Sequence, residues 1–307
     1  MSKPPLILHI GNHKTGTSAI QKYCGINRDA LAKAKTCWPS EQLPDTLHQH
    51  SKLARWVRSG ELEQVKAFLD RADQEALTMG AHKLLLSGED FSNLVEDDVK
   101  SLKEVINNRN IRIIIYFRNI YETMISIASE FMKRGSMLGP PRKKLTAISN
   151  KLDYASVLTT WERAFGKKNV EAYCYNDVKQ NLVNHFLDVI GISPDIKMPS
   201  TSISVNRSLP FPLATLLHFS GEISSMEEYK VTLKRLQPGT LPKTVWTPEL
   251  SRFAQTLVLL AGFDIKHPKL RDFQAQLGKL PDIDCETKSA ADILKVCEGL
   301  FDDKSEI

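Results

Sequence analysis

The stretch that most constrains this chain is an apolar run that ends in a glycine-bearing loop and continues into a helix. Leu6–Ile10 is apolar at nearly every position, which is typical of a strand buried on both faces of a parallel sheet. Gly11 and Gly16 bracket the loop that follows, and a helix is predicted over residues 18–35. Unpaired amide groups and the positive end of the helix dipole converge at such a junction. The stretch therefore predicts a site for a phosphate-like anion.

The loop departs from the nucleotide triphosphatase pattern at one position. Gly11–Ser18 fits the length, the two glycines and the final hydroxyl of G-x-x-x-x-G-K-[ST], but Thr17 stands where that pattern has its lysine. The lysine of this loop is Lys14, three residues earlier. In a nucleotide triphosphatase the lysine reaches the β- and γ-phosphates, and the last hydroxyl holds Mg²⁺. A loop with its cation moved forward is expected to bind a different anion.

Acidic residues follow the next apolar strand. The strand is predicted over residues 83–87, and Glu89 and Asp90 come after it. Open α/β sheets build their active sites at the carboxyl ends of their strands. One interpretation is an acid that holds Mg²⁺, and the other is a group that acts on an acceptor. We interpret Asp90 as a cap of the following helix and assign Glu89 to chemistry.

A second anion-binding feature follows the strongest predicted strand. Ile111–Phe117 is rich in β-branched and aromatic residues and ends directly before Arg118. A helix is predicted over residues 119–133, and it places Ser126 eight residues after the arginine. A guanidinium at a strand end offers planar bidentate donors to a phosphate, and a hydroxyl two turns into the helix adds another donor. Arg118 and Ser126 are therefore candidates for a second phosphate site.

Together these segments resemble the sulfotransferases that use 3′-phosphoadenosine 5′-phosphosulfate (PAPS). The start of the chain is similar to the HxGxHKTGTSxxQ opening of the bacterial sulfotransferase-like proteins, and the strand-Arg-x₇-Ser arrangement is similar to the family's 3′-phosphate-binding segment. The resemblance covers residues 6–210, and its last part is a short match over residues 204–209. The residues that carry it are His9, Gly11, His13, Lys14, Thr15, Gly16, Thr17, Ser18, Gln21, Arg118, Ser126 and Asn206.

The resemblance implies PAPS as the donor, adenosine 3′,5′-bisphosphate (PAP) as the product, and no required metal. Amides of residues 14–18 would hold the 5′-phosphate, and Lys14 would neutralise charge on the bridging oxygen. Arg118 and Ser126 would hold the 3′-phosphate, and Asn206 would close over the nucleotide. The expected donor-binding residues are His13, Lys14, Thr15, Gly16, Thr17, Ser18, Arg118, Ser126 and Asn206.

Three residues are candidates for the general base that takes the acceptor proton. Glu89 comes first, because it stands at the strand tip where the resembling family has Ser-x-Glu. His50 comes second, within a polar segment that also carries basic and aromatic residues, and His13 comes third. The expected catalytic residues are Lys14, Glu89 and His50.

The expected function is transfer of a sulfuryl group from PAPS to a hydroxyl or amine of a small molecule or glycan, with a carbohydrate preferred. One alternative is a P-loop small-molecule kinase, in which Glu89 or Asp90 would hold Mg²⁺. Thr17 in the place of the lysine argues against it. The other is a non-catalytic relative that binds nucleotide or glycan, and the presence of Lys14, Arg118 and Ser126 argues against that less strongly.

Length and composition predict a globular α/β protein. A chain of 307 residues with 42% hydrophobic content can bury a full core. Strand and helix alternate four times, which predicts a three-layer α/β/α fold of the P-loop nucleotide-kinase-like kind, with a parallel sheet of four to five strands. We expect the PAPS-binding core over residues 1–210 and a helical C-terminal extension packed on the same domain over residues 211–307.

Composition also bears on location and partners. No run of about 18 apolar residues exists, so no membrane span is expected. The N-terminus leads straight into the first strand without a leader pattern, and five cysteines without paired spacing fit reduced thiols. We therefore expect a cytoplasmic protein. The net charge of +5 is too diffuse to indicate nucleic acid, and the sequence is compatible with a homo-oligomer.

Overall fold

The computed structural model describes residues 3–39, 49–106, 109–133, 153–192 and 265–282, together with residues 227, 251, 252, 254, 255 and 258. Contacts along the chain divide it into two units. The first comprises residues 1–119, 153–203 and 264–277, and the second comprises residues 120–152, 204–263 and 278–307. The boundary expected at residue 210 lies outside the described residues and stays a prediction.

The first unit is built on a five-stranded parallel sheet, which confirms the fold class expected from the sequence. Its strands are β1 (Leu6–Ile10), β2 (Thr36–Cys37), β3 (Lys83–Gly88), β4 (Ile111–Phe117) and β5 (Val170–Cys174). Their spatial order is β2-β3-β1-β4-β5, and every neighbouring pair is parallel. The loop after β1 therefore lies between the carboxyl ends of β3 and β4, which carry Glu89 and Arg118.

Helices flank the sheet because both faces of its central strands are apolar. The helices other than α6 (Ile120–Lys133), which belongs to the second unit, are α1 (Thr17–Ile26), α2 (Arg28–Lys33), α3 (Ser51–Arg58), α4 (Leu62–Thr78), α5 (Glu96–Ile106), α7 (Tyr154–Phe165), α8 (Tyr175–Val178), α9 (Leu182–Val189) and α10 (Gln274–Gly278). On one face Ile7 and Leu85 join a buried cluster with Ile20 of α1 and Phe186 of α9. Within the part of the chain that the structure describes, no helix has the length and hydropathy to cross a membrane.

The structure differs from the sequence-based expectation after α1. The helix predicted over residues 18–35 is interrupted at Asn27, whose backbone N–H and side-chain Nδ2 both donate to the carbonyl oxygen of Tyr23, at 3.0 and 2.9 Å. Asn27 thus closes α1 with a side-chain bond to its last turn, and α2 begins at Arg28. The chain then reaches β2, a two-residue edge strand that pairs with β3.

A C-terminal segment returns to the first unit, which no sequence pattern predicts. His267 Nε2 and Lys269 Nζ lie 3.4 and 3.2 Å from the carboxylate of the buried Glu162 in α7. The side-chain amide of Asn119 donates to the carbonyl oxygen of Gln276 at 2.7 Å. The segment is thus attached to α7 and to the residue that follows Arg118.

Candidate functional site

The loop between β1 and α1 is held by its own polar groups. Asn12 Oδ1 accepts the backbone N–H of His13 at 2.9 Å. The carbonyl oxygen of Asn12 accepts the hydroxyls of Thr15 and Thr17 at 2.7 and 3.5 Å. These hydroxyls therefore stabilise the loop itself, whereas Ser18 is exposed.

The backbone of the loop follows a path that requires its glycines. A Cβ on Gly11 would lie 2.3 Å from Cγ2 of Thr17. Gly16 has a φ of +72°, and a Cβ there would lie 2.5 Å from Cδ2 of Leu182. Lys14 also has a positive φ, +65°, which costs a residue with a side chain roughly 1–2 kcal/mol. Strain of this kind is concentrated at functional sites.

Helix α1 presents an open N-terminus beside this loop. It begins at Thr17, and its N-cap residue, Gly16, makes no side-chain capping hydrogen bond. The first amides of a helix have no partner within the helix, and the helix dipole adds partial positive charge there. Such an arrangement attracts anions, and the phosphate site that the sequence predicts at this junction stays a prediction.

Arg118 lies against the same loop. Its Nη1 donates to the carbonyl oxygen of Lys14 at 3.2 Å, and its guanidinium carbon lies 5.5 Å from the ring centroid of Tyr175. Tyr175 also stands beside the loop, because a Cβ on Gly16 would lie 3.3 Å from Cε2 of that ring. The hydroxyl of Tyr154 donates to the carbonyl oxygen of Arg118 at 2.9 Å. The structure thus places the Arg118 guanidinium against the main chain of Lys14.

Glu89 and His13 contact each other directly. Nδ1 of His13 lies 2.8 Å from Oε1 of Glu89, and Nε2 lies 3.1 Å from Oδ1 of Asn93. The side chain of Glu89 is 39% exposed, and that of His13 is 11% exposed. The N–H of Gly11 donates to the carbonyl oxygen of Gly88 at 3.0 Å, which joins the start of the loop to the end of β3. The carboxylate is therefore held by the loop while it faces solvent.

The other two histidines near this edge of the sheet are buried. His9 Nδ1 lies 2.8 Å from Oγ of Ser87, which also accepts Nε2 of Gln21 at 3.2 Å. His50 Nδ1 accepts the backbone N–H of Ser87 at 3.1 Å. Burial lowers the pKa of His9 to about 3 and the pKa of His50 to about 4. Both rings are therefore neutral near pH 7, and the catalytic role expected for His50 stays a prediction.

Two expected binding residues are not among the described residues of the first unit. Ser126 is in α6, within the second unit, and Asn206 lies outside the described residues, so their roles stay predictions. The sequence analysis missed Asn12, Asn93 and Tyr175. Tyr175 follows β5, the neighbour of β4, and its position at the carboxyl edge of the sheet is a signal that could have found it. The roles of Asn12 and Asn93 depend on contacts that have no sequence signature.

Solved structures that match this chain include two sulfotransferases, whereas no family model and no curated protein matches it. One is a sulfotransferase from Alicyclobacillus acidocaldarius, with 13% identity and a TM-score of 0.43 over 77% of this chain and 98% of that chain. The other is the sulfotransferase domain from the curacin biosynthetic pathway, with 11% identity and a TM-score of 0.40 over 85% of this chain and 98% of that chain.

Proposed function

We propose that this protein is a PAPS-dependent sulfotransferase that transfers a sulfuryl group to a hydroxyl or amine of an acceptor, with a carbohydrate preferred. The observation that carries the proposal is the contact between two anion-binding features. Arg118 donates to the carbonyl oxygen of Lys14 at 3.2 Å, so the guanidinium lies beside the loop that leads into the open N-terminus of α1. A donor with phosphate groups at both its 5′ and 3′ positions would use both features, whereas AMP would use one.

Each residue has a distinct task in this proposal. The first amides of α1 and the Lys14 ammonium would bind the phosphosulfate, and Arg118 would bind the 3′-phosphate together with Ser126. Glu89 would take the acceptor proton as the acceptor bonds to sulfur and the bond between sulfur and the phosphate oxygen breaks. Lys14 would stabilise the negative charge that this cleavage leaves on the phosphate oxygen.

Glu89 is favoured over His50 as the base because of its exposure. Its side chain is 39% exposed beside the loop, whereas His50 is 3% exposed and uses Nδ1 to accept the Ser87 N–H. A general base must lie within hydrogen-bond reach of the proton that it takes. His13, which contacts Glu89, would orient the carboxylate.

A cytoplasmic location belongs to the same proposal. Cys24, Cys37 and Cys174 are free and buried, and burial raises the pKa of Cys37 to about 12. Cysteines held as buried neutral thiols support a reducing compartment.

PAP is expected to raise the melting temperature of the protein well above the effect of AMP or of ATP with Mg²⁺. Ligands that bind only the native state stabilise it by mass action, and PAP alone among the three carries a 3′-phosphate. Arg118→Lys should reduce the PAP shift toward that of AMP, because an ammonium cannot make the planar two-point contact. Thermal unfolding with each nucleotide measures this, and Arg58→Lys, at an exposed arginine of α3, is the matched control. Equal shifts with PAP and AMP would contradict the role of Arg118.

Transfer is expected to survive EDTA. Amides and side-chain cations supply the positive charge in this site, and the sulfuryl group carries less charge than a γ-phosphate. The measurement is the rate of sulfuryl transfer to defined mono- and oligosaccharides with and without chelator. A complete loss that Mg²⁺ restores, together with phosphoryl transfer from ATP, would establish the kinase alternative instead.

A further inference from the structure

We propose that His50 is a positioning residue, which holds the end of β3 through the main chain of Ser87 and so keeps the Glu89 carboxylate against His13. This inference rests on the proposed function, because it gives a task to a residue next to the proposed base. It replaces the role of proton acceptor that the sequence suggested for His50.

The start of α3 forms three hydrogen bonds with the end of β3. The N–H of His50 donates to the carbonyl oxygen of Ser87 at 2.7 Å, and the N–H of Ser87 donates to Nδ1 of His50 at 3.1 Å. The N–H of Glu89 donates to Oγ of Ser51 at 3.0 Å. His50 and Ser51 therefore fix the main chain on both sides of Gly88, and one of the fixed residues is Glu89 itself.

The packing around Gly88 makes this contact close. A Cβ on Gly88 would lie 3.0 Å from the Cα of Ser51 and 2.9 Å from the ring of Phe91. Glycine thus lets the first turn of α3 approach the end of β3. A displacement of α3 would move the main chain of Glu89, since no side chain at position 88 separates the two elements.

The ring of His50 is fixed in the orientation that this contact needs. It packs edge-on against Trp38 and Phe68, with ring centroids 4.7 and 6.0 Å apart. Burial keeps the ring neutral, with a pKa of about 4, so the Nδ1 lone pair remains able to accept the Ser87 N–H. Without that acceptor, Ser87 would have a buried N–H with no partner, which favours a shift of the strand end.

Two substitutions separate positioning from proton transfer. His50→Asn keeps a carbonyl oxygen close to the place of Nδ1, whereas His50→Leu keeps an apolar side chain but removes the acceptor. Neither asparagine nor leucine can take the proton from the sulfuryl acceptor. His50→Leu should lower the single-turnover rate roughly 10- to 100-fold, as expected for a small displacement of a catalytic group, with little change in PAP affinity. His50→Asn should recover most of that rate.

A second readout does not depend on turnover. Nitrogen NMR of histidine-labelled protein with PAP bound reports the contact between His13 and Glu89, and His13→Gln assigns the His13 signals. These signals should shift in His50→Leu and remain close to wild type in His50→Asn. Ser51→Ala removes the acceptor of the Glu89 N–H and also the hydroxyl that donates to Oε1 of Gln49 at 3.0 Å. It should shift the His13 signals in the same direction, and it replaces His50→Leu if that variant does not fold. His82→Asn, an exposed histidine before the opposite end of β3, is the matched control.

The outcomes decide between the roles. Equal loss of rate in His50→Asn and His50→Leu, with unchanged His13 signals, would overturn the proposal and identify His50 as the proton acceptor. An unchanged rate and unchanged His13 signals in His50→Leu would overturn it as well. If the wild-type protein transfers no sulfuryl group to any acceptor, the proposed function fails, whereas the His13 signals still decide whether His50 positions Glu89.

Discussion

Glu89→Gln is expected to lower kcat by roughly 10²–10⁴-fold, the range of general base catalysis, and to leave PAP affinity nearly unchanged. Glutamine keeps the size of the side chain and an oxygen that can accept the hydrogen bond from Nδ1 of His13, which now lies 2.8 Å from the carboxylate. It cannot take the acceptor proton. Single-turnover kinetics beside a binding isotherm for PAP measure the two effects separately.

Two companion variants make the result specific to Glu89. Asp90→Asn removes the neighbouring carboxylate, whose Oδ2 lies 3.8 Å from Nε of Arg55. This variant should leave turnover unchanged. The asparagine of His13→Asn can still donate a hydrogen bond to Glu89 but cannot take up a proton. If Glu89 is the base, His13→Asn should therefore lower kcat much less than Glu89→Gln does. Near wild-type turnover in Glu89→Gln with a large loss in His13→Asn would make His13 the base.

Much of the fold is predictable because the central strands are apolar on both faces. Ile111–Phe117 was predicted with the bounds that β4 has in the structure, and the predicted strand at residues 83–87 differs from β3 by one residue. The two-residue strand β2 was not predicted, because two residues have no periodicity. The break at Asn27 was missed for a different reason: it lies at a single residue, inside a stretch whose apolar spacing continues as in one helix.

The site was predictable to the extent that topology alone places residues. Carboxyl ends of parallel strands lie at one edge of a sheet, so Glu89 and Arg118 were both expected beside the loop that carries Lys14. The contact between His13 and Glu89 joins residues 76 positions apart, and the bond between Asn119 and Gln276 joins residues 157 positions apart. Pairings of this kind depend on the packed tertiary structure and leave no local pattern.

Lys14→Met is the second substitution for which we expect a large effect, a loss of roughly 10²–10³-fold in kcat, as for removal of one charge-stabilising donor. Methionine keeps an unbranched apolar stem and leaves a side chain at the same left-handed backbone position, whose φ is +65°. The change therefore removes the charge without a new steric demand, and the melting temperature should hardly move. Because the ammonium would bind the phosphosulfate and also stabilise charge in the transition state, affinity for intact PAPS should fall as well.

A control variant and the separate effects on kcat and KM show whether Lys14 acts on the transition state. Lys22→Met removes the same charge from an exposed position of α1, and it should leave kcat and donor affinity unchanged if the effect of Lys14 is local. An interaction that is stronger in the transition state lowers kcat, whereas uniform binding raises only KM. If Lys14→Met raises the KM for PAPS and retains kcat, Lys14 binds the donor without assisting bond cleavage. The charge on the bridging oxygen would then have to be stabilised by the amides of α1 alone. In that case the left-handed backbone of Lys14 would serve to orient those amides.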